Sequence, residues 1–400
     1  MISETAVVNQ QRDISMSVTV VCLIACDGGP ADHFASYAEV LTKQGCDVQI
    51  HATGPALKKF KERDVTVKSS FSLDNLTSEE EDHLAQELAE ACSIASIVII
   101  DIGHAFDIKI QKALKSRSKR IPCLVYYDNP EPFVPGGYSS TAAEVMGAAE
   151  GVLFANEALA KAKIYSAFGK EIDFTHKNRF GIGYYPVNEA EKIAEKRKSD
   201  HEKIRSIFLM KNGIVDKGQK VVVYFGGNNK EYFSKAFPAF LSFLAEASEQ
   251  GGLKKTVIAI QQHPGAKVNN QDGQQIEAWL KRFGKQAGVP RVILLDFSSG
   301  DVLLLADAVL YYQTSMSPQF VLAGIPTVQI GHEIYEDILV RSHLIPTVTS
   351  AKELTRVIKT LEKIDEKSQQ DLLNRLGIKE DWPKVLDSII KDYILITRLH

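Results

Sequence analysis

Apolar residues along this chain gather in short continuous runs. Ser17–Ala25, Ile97–Ile100, Cys123–Tyr127 and Val152–Phe154 are the runs of the first half. Val221–Phe225, Val257–Ile260, Val292–Leu295, Ala308–Tyr311 and Thr327–Ile330 are those of the second. Turns and stretches of helical spacing separate them. A strand that is apolar at every position is buried on both faces, as in a parallel sheet with helices on either side. The pattern occurs twice, so the expected class is α/β, with two Rossmann-like parallel-sheet domains facing across a cleft. No residue-level repeat accompanies it.

The join between the two patterns falls between Pro186 and Gly218. Asn188–Lys203 is nearly all charge and alanine and reads as a solvated helix beside a linker, followed by a second short helix, Arg205–Met210. The expected organisation is a flexible lead-in over 1–16, a first domain over 17–187, a charged helical linker over 188–218, a second domain over 219–380 and a final helix over 381–400. In that last segment Val385, Leu386, Ile389, Ile390 and Tyr393 recur at helical spacing. The helix can cap its own domain or cross back to the first.

A length of 400 residues agrees with two domains. Hydrophobic content of 44% is ordinary for a globular protein, and a formal net charge of −3 excludes a general nucleic-acid binder. The five cysteines lack paired spacing and read as reduced thiols, which suggests a cytoplasmic protein. Cys22 and Cys26 share a face, but no second Cys/His pair with finger spacing follows, so no metal is expected. No segment reaches the length of an apolar membrane span. The basic clusters Lys58–Lys68 and Arg117–Arg120 read as solvated faces or as peripheral contacts to an anionic membrane.

Candidate chemistry sits where strands end. Asp27-Gly28-Gly29-Pro30-Ala31-Asp32-His33 follows the first strand and precedes a helix expected over Phe34–Thr42. Its glycines allow a ligand close approach; a tight turn with Asp32 as helix cap is the alternative. Gly226-Gly227-Asn228-Asn229 mirrors it in the second domain. His263, in Gln261-Gln262-His263-Pro264-Gly265, lies at the edge where open α/β sheets bind ligands. Tyr312-Gln313-Thr314-Ser315-Met316-Ser317-Pro318 presents hydroxyls and free N–H groups before a helix expected over Pro318–Leu322, with Ser317 as its cap. Asp101 and His104 follow one first-domain strand, and Asp128 and Glu131 follow another. Carboxylates there can abstract a proton; each can equally be a cap or turn residue.

The Gly226-Gly227 loop, His263-Pro264, Asp301 through Ala306-Asp307, Ser315 with Ser317, and Gly324-Ile325-Pro326 together resemble the C-terminal half of GT-B fold glycosyltransferases. The His-Pro pair and serine motif are similar to those of bacterial sialyltransferases and capsule-type transferases. The spacing Gly28-Gly29 to His33 resembles the glycine loop of MurG-like transferases. Where many of these enzymes carry a ribose-binding glutamate, this chain has Gln319, and the acidic-acidic-glycine motif of sialyltransferases is only echoed, at Cys26-Asp27-Gly28 and Tyr127-Asp128-Asn129.

The resemblance implies a glycosyltransferase with a nucleotide-sugar donor on the second domain, bound by Gly226, Gly227, His263, Pro264, Thr314, Ser315, Ser317 and Gln319. The acceptor, a glycan, lipid or protein, would lie by Gly28, Gly29, His33, His104 and Asp128, with Asp27, Asp101 or Glu131 as base. No Asp-x-Asp occurs, so transfer is expected to need neither metal nor cofactor. The alternatives are a nucleotide-sugar 2-epimerase of the same fold and a non-catalytic nucleotide-sugar-binding protein. The epimerase ranks lower here because Gln319 and Gly331-His332-Glu333 depart from the acidic and arginine positions usual in such enzymes.

Overall fold

The computed structural model describes residues 18–132, 134, 139–165, 170–173, 178–263, 266, 269–286, 288–330 and 336–398, without the side chains of Ser139 and Arg398. Pro264, the 1–16 lead-in and Gly331-His332-Glu333 lie outside the described residues.

The first sheet has seven parallel strands: β1 (Val20–Ala25), β2 (Asp47–Ala52), β3 (Ser69–Ser70), β4 (Ile97–Ile100), β5 (Cys123–Tyr127), β6 (Gly151–Phe154) and β7 (Asn178–Gly181), in the order β3-β2-β1-β4-β5-β6-β7. The second has six: β8 (Lys220–Phe225), β9 (Thr256–Gln261), β10 (Arg291–Leu295), β11 (Ala308–Tyr311), β12 (Thr327–Ile330) and β13 (Thr347–Val348), in the order β10-β9-β8-β11-β12-β13. Each chain path leaves the middle of its sheet, builds one side, then crosses to the other. The crossing points are β1/β4 and β8/β11, and ligands of open parallel sheets bind beyond the carboxyl ends of such strands.

Both faces of each sheet are covered. Cys22, Ile24, Val98, Ile100 and Val125 face one core, and Val21, Leu23, Ile97, Ile99 and Leu124 face another. Val221, Val223 and Val309 separate from Val222, Tyr224 and Leu310 in the same way in the second sheet.

Two helices differ from the sequence expectation, and the last takes one of the two courses expected for it. The first begins at Gly28 and runs to Lys43, with Asp27 at its cap. Gly28, Gly29 and Pro30 fill its first turn, where a missing N–H costs no intrahelical bond. Asp32 therefore lies inside the helix, and its carboxylate pairs with Arg63 at 3.2 Å. The charged linker is one helix, Val187–Lys211, since Ala190, Phe208 and Leu209 bury against the second sheet. The helix Trp382–Arg398 crosses back: Leu386, Ile390, Tyr393 and Ile394 join the core of Val21, Leu23, Phe34 and Tyr37. Gln44 Nε2 donates to the Pro383 carbonyl at 3.0 Å and fastens its start.

Among the described residues no helix is long and apolar enough to cross a membrane.

Candidate functional site

The carboxyl ends of β1, β4 and β5 bring Asp27, Asp101 and Asp128 together. Asp101 is fully buried, and its Oδ2 accepts the Cys26 N–H at 2.8 Å and the Asp27 N–H at 2.9 Å. It thus ties β4 to the β1 turn. Its Oδ1 is buried without a hydrogen-bond partner among the described residues. Burial, and then the charge of Asp27, push the Asp101 carboxyl up to about 6. Burial and the same Asp27 charge push Asp128 up to about 7. Asp27 itself is raised by burial, opposed by the nearby His104. Like charges gathered in a dry edge cannot all ionise cheaply, which is why all three move upward.

Glycines make this convergence possible. A Cβ on Gly29 would lie 2.5 Å from Asp128 Oδ2, and one on Gly103 would overlap Asp27 Oδ2. Gly28, half-buried, precedes the exposed Gly29 in the same first turn. His104 Nδ1 accepts the Phe106 N–H at 3.1 Å, which leaves its ring proton on Nε2.

Asp107, which sequence reasoning passed over, completes the cluster. It is buried in the first turn of helix Phe106–Lys115, and its Oδ2 accepts the His104 N–H at 2.9 Å. Burial and the Asp101 charge hold it well above the usual carboxylate range, so near neutral pH this acid pair retains a proton. The available signal was the His104-to-Asp107 spacing, which has the form of a cap.

Two expected first-domain residues are placed otherwise. His33 is buried, its Nδ1 against the Tyr126 hydroxyl and its ring edge-on to Tyr184 and Tyr185. Burial, and then Arg63, push it down to about 3, so it is a neutral part of an aromatic column. The Glu131 carboxylate is engaged across the cleft: Oε1 accepts the Ile338 N–H at 2.5 Å and Oε2 pairs with Arg341 at 2.6 Å. Both its oxygens being taken, Glu131 acts in this conformation as a clamp rather than a base.

The second sheet offers a different surface. Gly226 and Gly227 lie against Tyr232, where a Cβ would come within 2.8 Å and 3.0 Å of that side chain. The Tyr232 hydroxyl donates to Asp272 Oδ1 at 2.6 Å. Beside this turn is a groove of about 410 Å³, lined by Asn228, Lys230, Phe233, Ser234, Asn269 and Gln271, with Ala266. His263 is exposed on the β9 loop that leads into the groove, and its carbonyl accepts the Ala266 N–H at 2.9 Å. Of the groove's polar side chains only Asn228 belonged to a motif singled out from sequence; the others lie in turns and helix starts that carry no spacing signal.

In the serine loop, Thr314 Oγ1 accepts the Met316 N–H at 3.2 Å and Ser315 is exposed. The helix starts at Ser317 with Met316 as cap, so Ser317 is its first residue. The Ser317 hydroxyl donates inward to Asp337 Oδ2 at 3.0 Å, an acceptor shared with the Tyr311 hydroxyl. Gln319 is buried on the same short helix. Tyr185, also missed, joins the two halves: it packs in the second core, lies near Asp128, and donates from its hydroxyl to the Ser315 carbonyl.

No family model and no curated protein matches the chain. Solved structures do match along nearly its whole length. A UDP-GlcNAc 2-epimerase from Neisseria meningitidis bound to UDP-GlcNAc superposes with a TM-score of 0.64 at 10% identity, over 94% of this chain and 100% of the other. The S. aureus MnaA–UDP complex gives 0.65 at 11%, over 94% and 97%. A glycosyltransferase from Rickettsia africae gives 0.62 at 11%, over 95% and 99%. The class these define is the GT-B-type fold, with two parallel-sheet α/β domains, and this chain has that fold.

Proposed function

We propose that the chain acts on a nucleotide-activated sugar in the cleft, and that its chemistry is epimerisation at the sugar C2. The observation that carries this reading is the convergence of Asp27, Asp101 and Asp128, with pKa values raised to about 6 at Asp101 and about 7 at Asp128. Inverting a carbon centre requires one group to remove its proton and another to deliver a proton to the opposite face. Inverting glycosyl transfer requires a single base at the acceptor hydroxyl. A multi-acid edge suits the first task better, and the fold likeness to UDP-GlcNAc 2-epimerases adds support. It reverses the order expected from Gln319.

Asp128 is the best-matched proton acceptor, since a base titrating near 7 is half-ionised where it works. Asp27 and His104, whose free ring nitrogen carries the proton, are the candidates to return one. The nucleotide would lie on the second sheet, against Gly226, Gly227, His263 and the groove, with Thr314 and Ser315 near its phosphates and Gln319 toward the ribose. The C1–O bond to the diphosphate breaks as the C2 proton is removed and re-forms as a proton is added to the opposite face, and backbone N–H groups and hydroxyls there can hold the diphosphate's charge in between.

Glycosyl transfer is the second reading, supported by the fold shared with a solved glycosyltransferase. The sialyltransferase-like and capsule-type motifs are not needed for either. One experiment separates them: UDP-GlcNAc incubated with the protein in D2O without acceptor, followed by NMR at C2. Deuterium at C2 together with the 2-epimer is expected. A donor consumed only when an acceptor is added, without exchange at C2, replaces epimerisation by transfer. Binding with neither reaction leaves a nucleotide-sugar-binding protein.

A further inference from the structure

Away from the cleft, on the β1–β2 side of the first sheet, three metal-ligating side chains meet in a dry core. Cys22 is on β1, His51 on β2, and Cys92 is the C-terminal cap of helix Ser78–Ala91. Cys22 and Cys92 are 0% exposed and His51 is 1% exposed. The two sulfurs and a ring nitrogen of His51 all lie within 4.8 Å of one another. His51 Nδ1 is hydrogen-bonded to Ser69 Oγ at 2.6 Å on the neighbouring strand β3. The nitrogen left over, Nε2, is buried and has no partner among the described residues. A histidine oriented through one nitrogen by an outer hydrogen bond, with its ring within ligand spacing of two thiols, is the arrangement of a metal ligand. An unsatisfied ring nitrogen in an apolar core otherwise has a cost and no compensation.

We propose that Cys22, His51 and Cys92 form a structural zinc site, with Gln49 Oε1 as the oxygen that completes four-coordination. Gln49 lies opposite Cys22 in the β1–β2 ladder, and its Oε1 is 3.9 Å from Cys22 Sγ. The same oxygen accepts Lys68 Nζ at 2.7 Å, which fixes the amide and leaves its second lone pair. Bond lengths of about 2.0–2.3 Å put tetrahedral ligands roughly 3.3–3.8 Å apart, so the described spacing closes with side-chain shifts. Two thiolates neutralise a divalent ion, which suits a site without solvent. Zinc enters as the two thiols release their protons to water, with no change of oxidation state. The metal would pin β1, β2 and helix Ser78–Ala91 together, upstream of the turn that carries Asp27. Sequence spacing could not show the site, because each ligand comes from a different element and β2 itself was not legible.

The test uses the full chain, stripped of metal, reduced, and titrated with Cd²⁺ and Zn²⁺. One Cd²⁺ per chain should bind with a sulfur-to-cadmium absorption band of two thiolates, and Zn²⁺ should abolish the band by displacement. Ser69→Ala should keep the band but weaken affinity about 10- to 100-fold, the usual size of a lost outer hydrogen bond. Cys92→Ala should halve the band, and Cys123→Ala, another buried cysteine, should leave it intact. If Cys92→Ala does not fold by circular dichroism, the wild-type titration and Ser69→Ala still decide. Absence of the band in wild type, or a band that persists unchanged in both Cys22→Ala and Cys92→Ala, overturns the proposal.

Discussion

At the carboxyl edge of the first sheet, β1, β4 and β5 lead into Asp27, Asp101 and Asp128, whereas β8 leads into Gly226 and β9 and β12 carry Gln261 and Gln329. The geometry of the two edges is the same, but their side chains differ in one respect. Gln329 donates to the Tyr312 carbonyl at 3.0 Å and accepts the Asp337 N–H at 3.2 Å, and Gln261 donates to the Phe297 carbonyl at 3.1 Å. Amides of this kind hold no titratable proton and carry no charge. The acids of the first edge raise one another and retain protons near neutral pH. A proton can be held and exchanged at the first edge, which the amides of the second cannot do. The comparison therefore supports the proposed division, with proton chemistry at the first sheet and nucleotide binding at the second.

The comparison can be broken most sharply at Asp128. Asp128→Asn should lower turnover of the nucleotide sugar by about 100-fold or more, the usual contribution of a positioned acid or base. Nucleotide affinity, measured by calorimetry, should change by less than about threefold. Wild-type turnover in this variant would remove proton chemistry from the first sheet.

A second test reads the same group through stability. Asp128 sits at about 7 and Asp101 at about 6 in the folded chain, against about 4 for an unfolded aspartate. A carboxyl raised by folding contributes its full stability below the unfolded value and loses it as pH rises through the folded one. Wild type should therefore lose stability between about pH 4 and 7. Asp128→Asn should remove on the order of 1–3 kcal/mol of that loss. Denaturant melts across this range check it, and parallel pH slopes in the two proteins would contradict it.

The second sheet is probed by His263→Ala, which should weaken nucleotide binding about tenfold, or about 1.4 kcal/mol, with melting of the free protein unchanged. Unaltered affinity would take His263 out of the nucleotide site. The smallest effect is expected where the edges touch. Arg341 is 38% exposed in its pair with Glu131, so Arg341→Ala should cost only about 0.5–1 kcal/mol. Loss of the clamp should also increase the radius of gyration of the nucleotide-free protein in small-angle scattering. An unchanged radius would show that the remaining links, among them Tyr185 to the Ser315 carbonyl and Lys379 to Gly183 and Glu157, suffice to hold the halves.

Much of the framework was legible because β1, β4, β5, β8, β9, β11 and β12 are buried on both faces, which leaves short continuous apolar runs bounded by turns. The strands missed have different surroundings. β3 and β13 contain two residues each, and β7, Asn178–Gly181, lies at a sheet edge. β2 carries Asp47, Gln49 and His51 among its apolar residues, which reads as a half-exposed segment. Gln49 and His51 are nevertheless buried, beside Cys22 and Cys92.

The candidate site divides along the same line. Asp27, Asp101, Asp128 and the glycine turns could be picked out because a polar residue directly after a buried strand has few places to go but the ligand edge. Sequence alone determined the class, the two sheets and that edge, since these follow from local periodicity and strand ends. Only the tertiary structure decided which edge residues keep a free group. Glu131 is taken by Ile338 and Arg341, Ser317 by Asp337 and His33 by the aromatic column, while Asp107 joins the acids. It also decided that the last helix returns to the first sheet and that Cys22, His51 and Cys92 meet. Those outcomes depend on contacts between residues far apart in the chain, which neither periodicity nor spacing encodes.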